Sequence, residues 1–429
     1  MKREGMFGCS EHEQHRRIDD ALTEHLTTPT RLDRLRRSDT LDGDAVTDAW
    51  ESRRISRRAL LLSTGAMALA AAAPSALTLP VAASDSDEDG VGKTITIESI
   101  PNQTVRLGQF RMDLADVATV DSGDVIRYPN TLTHFLGALQ PGLTIQQIAQ
   151  LRLNNPGKGP HSVIGPIGVR DAHPGDVLEV RFRRLRPIDF GANFHNPLLP
   201  GIRTGALPDE FPKGQVIYFN LDNEEHRTQF RPGIHIPLAP FQGIFGLAPP
   251  GTDLVVSSVP PGQNAGNIDL REIVAGAKLF IPVWRDGGRI FTGDSHVAQG
   301  DGEVNLTAIE SAMRELEVQV VLHPGALAAV AEADRWPMAE TETHWIAVAT
   351  AQPVPDQQTA FRNAFIRALH NVINFLHTKA GLTRDDAYAL SSIAVSFRIT
   401  QVVDITIGVH GMIPKSLFDE DLRETIHVV

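Results

Sequence analysis

The chain of 429 residues is 42% apolar and 21% charged, which excludes a disordered chain or a coiled coil over most of its length. Its net charge of −12 repels phosphate backbones and argues against nucleic acid as a partner. The lone cysteine, Cys9, excludes a disulfide framework and a thiolate zinc cluster, and leaves no cysteine nucleophile in the body of the chain.

Residues 1–83 read as a leader. Up to Arg58 the basic and acidic residues balance and no apolar face recurs, the composition of a solvated segment. Ser56-Arg57-Arg58 then precedes an apolar run from Ala59 to Ala73, too short to span a bilayer permanently. With the small residues Val81-Ala82-Ala83, the pattern predicts a twin-arginine export signal cut after Ala83. A buried helix behind a basic loop is the alternative. Export predicts a periplasmic or extracellular protein that meets the twin-arginine machinery and keeps no permanent membrane span. Residues 84–95 form an acidic tether.

Short apolar runs between Gly/Pro turns follow. Thr94-Ile-Thr-Ile97, Val177-Leu-Glu-Val-Arg-Phe182, Gln215-Val-Ile-Tyr-Phe219, Leu254-Val-Val256, Lys278-Leu-Phe-Ile-Pro-Val283 and Leu316-Glu-Val-Gln-Val-Val-Leu322 have strand length. Several alternate apolar with polar, as half-buried strands do. Gln357 to Lys379 places Phe361, Phe365, Leu369, Val372 and Leu376 on one helical stripe, with Gly381 as its C-cap. Thr383-Arg-Asp-Asp386 reads as a capping box before a second helix. Phe397–Val403 and Ile405–Val409 are predicted closing strands. The fold expected is mainly β: a jelly-roll-like β-sandwich over 96–325 joined to an α/β roll, an α+β C-terminal part, over 326–429.

Three polar clusters carry the candidate chemistry. In Gly293-Asp294-Ser295-His296-Val297-Ala298-Gln299-Gly300-Asp301-Gly302-Glu303, Asp294 and His296 are two apart, one face of a strand. A carboxylate and an imidazole so placed suit zinc or a similar divalent metal. The glycines allow Asp301 and Glu303 to turn back toward the same centre; a polar turn between strands is the bland alternative. Asn264-Ala-Gly-Asn267-Ile-Asp269 offers two amides to a substrate carbonyl and a carboxylate to ligate or orient, or else caps a turn. Gly159-Pro-His161-Ser-Val-Ile-Gly165-Pro166 sets a histidine on a rigid loop. His134 is a weaker case of the same kind, and His195, His235 and His410 have no supporting spacing. No phosphate-binding loop, nucleophile elbow or H-E-x-x-H occurs.

At these clusters the chain resembles the acetamidase/formamidase family. Gly293 to Glu303 is similar to the family's Gly-Asp-x-His-Ala-x-Gln-Gly-Asp-Gly-Glu signature. Asn264-Ala-Gly-Asn267-Ile-Asp269 resembles its Gly-Gly-Asn-x-Asp block, and Pro240-Phe-Gln-Gly its central Pro-Phe-x-Gly block. His161 to Val180 resembles its early histidine-Gly-Pro and strand block. Asp385-Asp386-Ala-Tyr388 and Arg398-Ile-Thr-Gln-Val-Val-Asp404 resemble later landmarks. The resemblance implies a β-sandwich joined to α+β elements, a homo-oligomer, and cleavage of small amides to acid and ammonia.

With no evident nucleophile, water must be activated another way, and a bound metal is expected to do it. Asp269, Asp294 and His296 are then the metal ligands, and Glu303 the general base and then the acid to the leaving ammonia, with Asp301 among the catalytic candidates. Asn267 and His161 steady the carbonyl oxygen, Gln299 orients the water, and Asn264 contacts substrate. Ile164 stands where the family carries threonine and Ala265 where it carries glycine. Both are assigned to the substrate loop, which predicts a preference for an amide with an apolar group over formamide. A non-catalytic exported β-sandwich that binds a small amide or sugar is the rival expectation.

Overall fold

Alternation is what makes the longest strands. Val177–Pro187 and Met313–His323 pair antiparallel from Met313↔Pro187 to His323↔Val177. Leu178, Val180, Phe182, Leu316, Val318 and Val320 turn one way into an apolar core. Between them Glu179 and Arg181 turn the other way into an ion pair. Period-two side chains thus give one apolar face and one polar face, whose Glu179 is itself buried.

The computed structural model describes residues 92–195, 205–351 and 357–429. The leader, with Arg57, Arg58 and the cut after Ala83, lies outside the described residues, as does most of the acidic tether. Everything described belongs to one unit, Asp85–Val429.

Among the described residues, nine strands make one sheet. Their spatial order is Thr94–Thr96, Val125–Tyr128, Met313–His323, Val177–Pro187, Lys278–Pro282, Met338–Glu340, His344–Ala351, Thr406–Pro414 and Ser396–Asp404. This sheet crosses residue 325, so the portions 96–325 and 326–429 share it. An eleven-stranded sheet holds Phe190–His195, Glu310–Ser311, Ile290–His296, Phe241–Gly246 and Ala265–Asn267 in that order. Ser162–Val169 adds to Ile290–His296 from the side. The main core takes Val180, Phe182, Ile281 and Val318 from the first sheet and Ile164, Ile167, Phe245 and Ile290 from the second. The fold is therefore mainly β and sandwich-like, as expected. Each such side chain contributes roughly 1.5–3 kcal/mol on burial.

The helix Gln357–Lys379 packs on His344–Ala351 and Thr406–Pro414. Of the predicted stripe, Val372 and Leu376 are fully buried and Phe365 and Leu369 partly so; the buried face departs from it at Phe361 and adds alanines. Phe361 is exposed, while Ala360, Ala364 and Ala368 are buried, the last two against Ala349 and Ala351. Small residues on both surfaces let helix and sheet approach closely, and the phenylalanines move to the edge. Toward the C-terminus Val372, Phe375 and Leu376 fill the gap beside Trp345. Gly381 ends the helix at φ 70, and Thr383 caps Arg384–Ala394 by accepting a hydrogen bond from Asp386 N.

Candidate active site

The cluster forms where strands of the second sheet and the tip of the closing hairpin converge. Ile290–His296 brings in Asp294 and His296, Glu310–Ser311 brings Glu310, and residues 267–269 bring Asn267 and Asp269. His134 comes from the short helical turn His134–Gly137, and His161 from the start of Ser162–Val169. The spacing of Asp294 and His296 does unite them, though not by plain strand alternation. Asp294 sits at φ 56, Asp269 at φ 50 and Glu303 at φ 48. Three carboxylates in the left-handed region mark a place where the fold holds strain for aim.

The side chains meet in three overlapping groups: His134, His161, Asp294; Asp269, His296, Glu303; and Asp294, His296, Glu310. All are buried. Within each group one ligand atom per residue lies within 4.8 Å of the others. His134 Nε2 is 2.6 Å from Asp294 Oδ1 and 3.1 Å from Glu310 Oε2. His296 Nε2 is 3.1 Å from the same Glu310 oxygen and 3.4 Å from Asp294 Oδ2. His161 Nε2 is 3.7 Å from Asp294 Oδ2, and its Nδ1 is 2.8 Å from Ser258 Oγ.

Gln299 orients this set. Its Oε1 lies 3.0 Å from His296 Nδ1, and its Nε2 donates to the Asp269 carbonyl. Asn264 Nδ2 donates to the Leu247 carbonyl, which fixes the turn behind the cluster. Gly243 forms the floor: a Cβ there would fall 2.6 Å from Asp269 Oδ1 and 2.9 Å from Asp294 Oδ2.

Burial alone would lower the imidazoles, but Glu310 and Asp294 lift His134 to about 9 and hold His296 well above its ordinary value. His161, where burial wins, falls to about 4 and is neutral. Burial and neighbouring carboxylates hold Asp269 and Glu303 well above the carboxylate range and Asp404 at about 7. Asp294 goes the other way: the imidazoles overcome its burial and keep it ionised. Neither Asp269 oxygen has a hydrogen-bond partner, and Glu310 Oε2 has none. Buried acceptors left open beside imidazoles, over a floor with no side chain, fit a divalent cation of the zinc type.

The acetamidase/formamidase family profile matches residues 98–257 and 253–420. The chain belongs to this family. An acetamidase of Mycolicibacterium smegmatis is 25% identical over 200 residues, covering 34% of this chain and 49% of that protein. A formamidase of Methylophilus methylotrophus is 22% identical over 209 residues, covering 38% and 51%. The chain thus spans about half the length of the curated relatives it matches. In fold it is similar to the acetamidase of Bacillus halodurans, with a TM-score of 0.63 at 24% identity, covering 76% of this chain and 99% of that one.

Asp294, His296, Gln299 and Glu303 of the signature lie together, and four candidate residues are placed otherwise than expected. Asp301 stays outside the cluster, in a two-bond pair with Arg398 at the surface. Ile164 and Ala265 pack in the core between the sheets. Asn267 has already committed its Nδ2 to Val259 O and Asp404 Oδ2; the atom left open is Oδ1, an acceptor, so it suits an N–H and not a carbonyl oxygen. Sequence reasoning ranked His134 too low and missed Glu310, Ser258 and the approach of Asp404. Glu310 carried one signal, a lone carboxylate within Ala308-Ile-Glu-Ser-Ala-Met313. Among the described residues, no helix is long and apolar enough to cross a membrane.

Proposed function

We propose that this chain is an exported amidohydrolase that cleaves small linear amides, of the formamide and acetamide class, to the acid and ammonia. The reading rests on one observation: two buried groups, Asp294, His296, Glu310 and Asp269, His296, Glu303, meet at His296 in a member of this family. The expected ligand trio divides here: Asp294 and Glu310 face His296 Nε2, while Asp269 faces His296 Nδ1 at 3.8 Å. Zinc or a similar divalent ion, when held by Asp294, His296 and Glu310, would supply a Lewis acid for the amide carbonyl and a water acidified toward neutrality.

Glu303, buried beside Asp269 and His296, takes a proton from the attacking water and returns it to the leaving nitrogen. His161 is neutral; with the Ser258 hydroxyl donating to Nδ1, its Nε2–H, which lies 3.7 Å from Asp294 Oδ2, turns to steady the carbonyl oxygen. Asn267 Oδ1 accepts from the amide N–H of the substrate. Gln299 acts through its bonds to His296 and Asp269. Ser56-Arg57-Arg58 ahead of a short apolar run supports export by the twin-arginine machinery, and the family resemblance supports a homo-oligomer.

The test reads ammonia release from formamide, acetamide and longer aliphatic amides together with elemental analysis, on purified wild type and His296→Ala. Wild type is expected to carry a divalent ion and release ammonia. His296→Ala is expected to lose the ion and at least about a hundredfold in kcat/KM. A wild type free of metal and active after exhaustive chelation removes the ion from the proposal. Amide binding without ammonia release makes the protein a binder. Replacing Arg57 and Arg58 by lysine is expected to abolish export.

A further inference from the structure

The turn that carries Glu303 is built from both sides. Gly302 and Glu303 take φ 90 and φ 48 in succession, a bend that a glutamate does not hold by preference. Glu303 points inward, into the group with Asp269 and His296. Asp301, two residues earlier, points outward. Its Oδ2 accepts from Arg398 Nε at 2.7 Å and its Oδ1 from Arg398 Nη2 at 2.7 Å. The third donor, Arg398 Nη1, reaches Glu272 Oε1 at 2.7 Å. The strand that carries Arg398 also grips the turn by its backbone: Gly302 N donates to Ile399 O, and Val402 N to Gly302 O. Gln299, at the other end of the turn, reaches Thr400 O at 3.4 Å.

We infer that Arg398, held by Glu272, clamps Asp301 so that the turn delivers Glu303 to the site; Arg398 and Asp301 are positioning residues for the proposed base. The inference rests on the role given to Glu303 above. A planar guanidinium suits the task because its two parallel bonds fix direction as well as distance, which a lysine's single ammonium does not. The clamp also accounts for an acidic residue in the signature that never reaches the cluster.

The experiment compares full-length wild type with Arg398→Lys, Arg398→Ala, Asp301→Ala and the double alanine variant. It measures kcat and KM on acetamide and formamide, melting temperature, and amide hydrogen exchange over residues 300–306. Either alanine is expected to lower kcat 10–100-fold with KM within threefold, and to speed exchange in the turn tenfold while Ile290–His296 keeps its protection. Arg398→Lys is expected to fall between, and the double variant to be no worse than either single one. The clamp is overturned if kcat stays within twofold, or if losses in the double variant multiply. It is equally overturned if exchange rises across the whole sheet, the mark of general loosening. If wild type hydrolyses no amide, the functional reading fails by itself, and exchange in the turn alone upholds or overturns the clamp.

Discussion

At position 265 the backbone turns through φ 61 with an alanine in place, inside the core between the sheets. An L-residue there costs about 1–2 kcal/mol, partly offset by the chain entropy that glycine would add. Ala265→Gly is therefore expected to raise stability by about 0.5–1 kcal/mol. Ile164 is fully buried between Val105 and Thr292. Ile164→Thr sets a hydroxyl among hydrocarbon and is expected to cost about 2–3 kcal/mol. Neither side chain reaches the cluster, so the kcat/KM ratio of formamide to a longer amide should change less than twofold in either variant; denaturant melts and paired kinetics check both points. These two positions also show the limit of reading residues singly. Their departure from the family pattern was visible in sequence, but which face of the strand each occupied was decided by pairing partners far away in the chain. Asp294 and His296 were legible because their partner lies two residues away.

The helices show the same division. Thr383 and Gly381 act within one turn of their own position, and both did what local chemistry dictates. Thr383→Ala removes the oxygen that satisfies Asp386 N and is expected to cost about 1 kcal/mol, read from thermal melts, without altering kcat. The buried face of Gln357–Lys379 was harder to read. Alanine carries a weak apolar signal, so the phenylalanines dominated the stripe; the alanine-rich strand His344–Ala351 opposite decided the matter. Asp404 was out of reach for a related reason. It sits at the end of Ser396–Asp404, and the buried side chain of Gln401 accepts from the backbone N–H of Val403 and Asp404 to shape that tip.

For the molecule as a whole, acid is the expected weakness. Glu179 lies in the middle of the nine-stranded sheet with 4% of its side chain exposed. Burial would raise it, but His323, Arg181 and Lys278 hold it down at about 2. A carboxylate depressed in the folded state stabilises above its unfolded value near 4.5, and the benefit is lost as pH falls toward 2. Glu179→Gln is expected to cost about 2–3 kcal/mol at pH 7 and to flatten the fall in stability between pH 4.5 and 2, seen in urea midpoints across that range.

The scattering of the site along the chain has a consequence for the order of events in the cell. His134 comes early in the folded body and Asp404 close to its end, with Asp269, Asp294 and Glu310 between. A growing chain on the ribosome therefore completes none of the three groups before Asp294 has been made, and Asp404 joins them only near the end. Contacts so distant in sequence also form late and slowly. For the export proposed above, a route that carries chains already folded is compatible with a cofactor loaded before transfer.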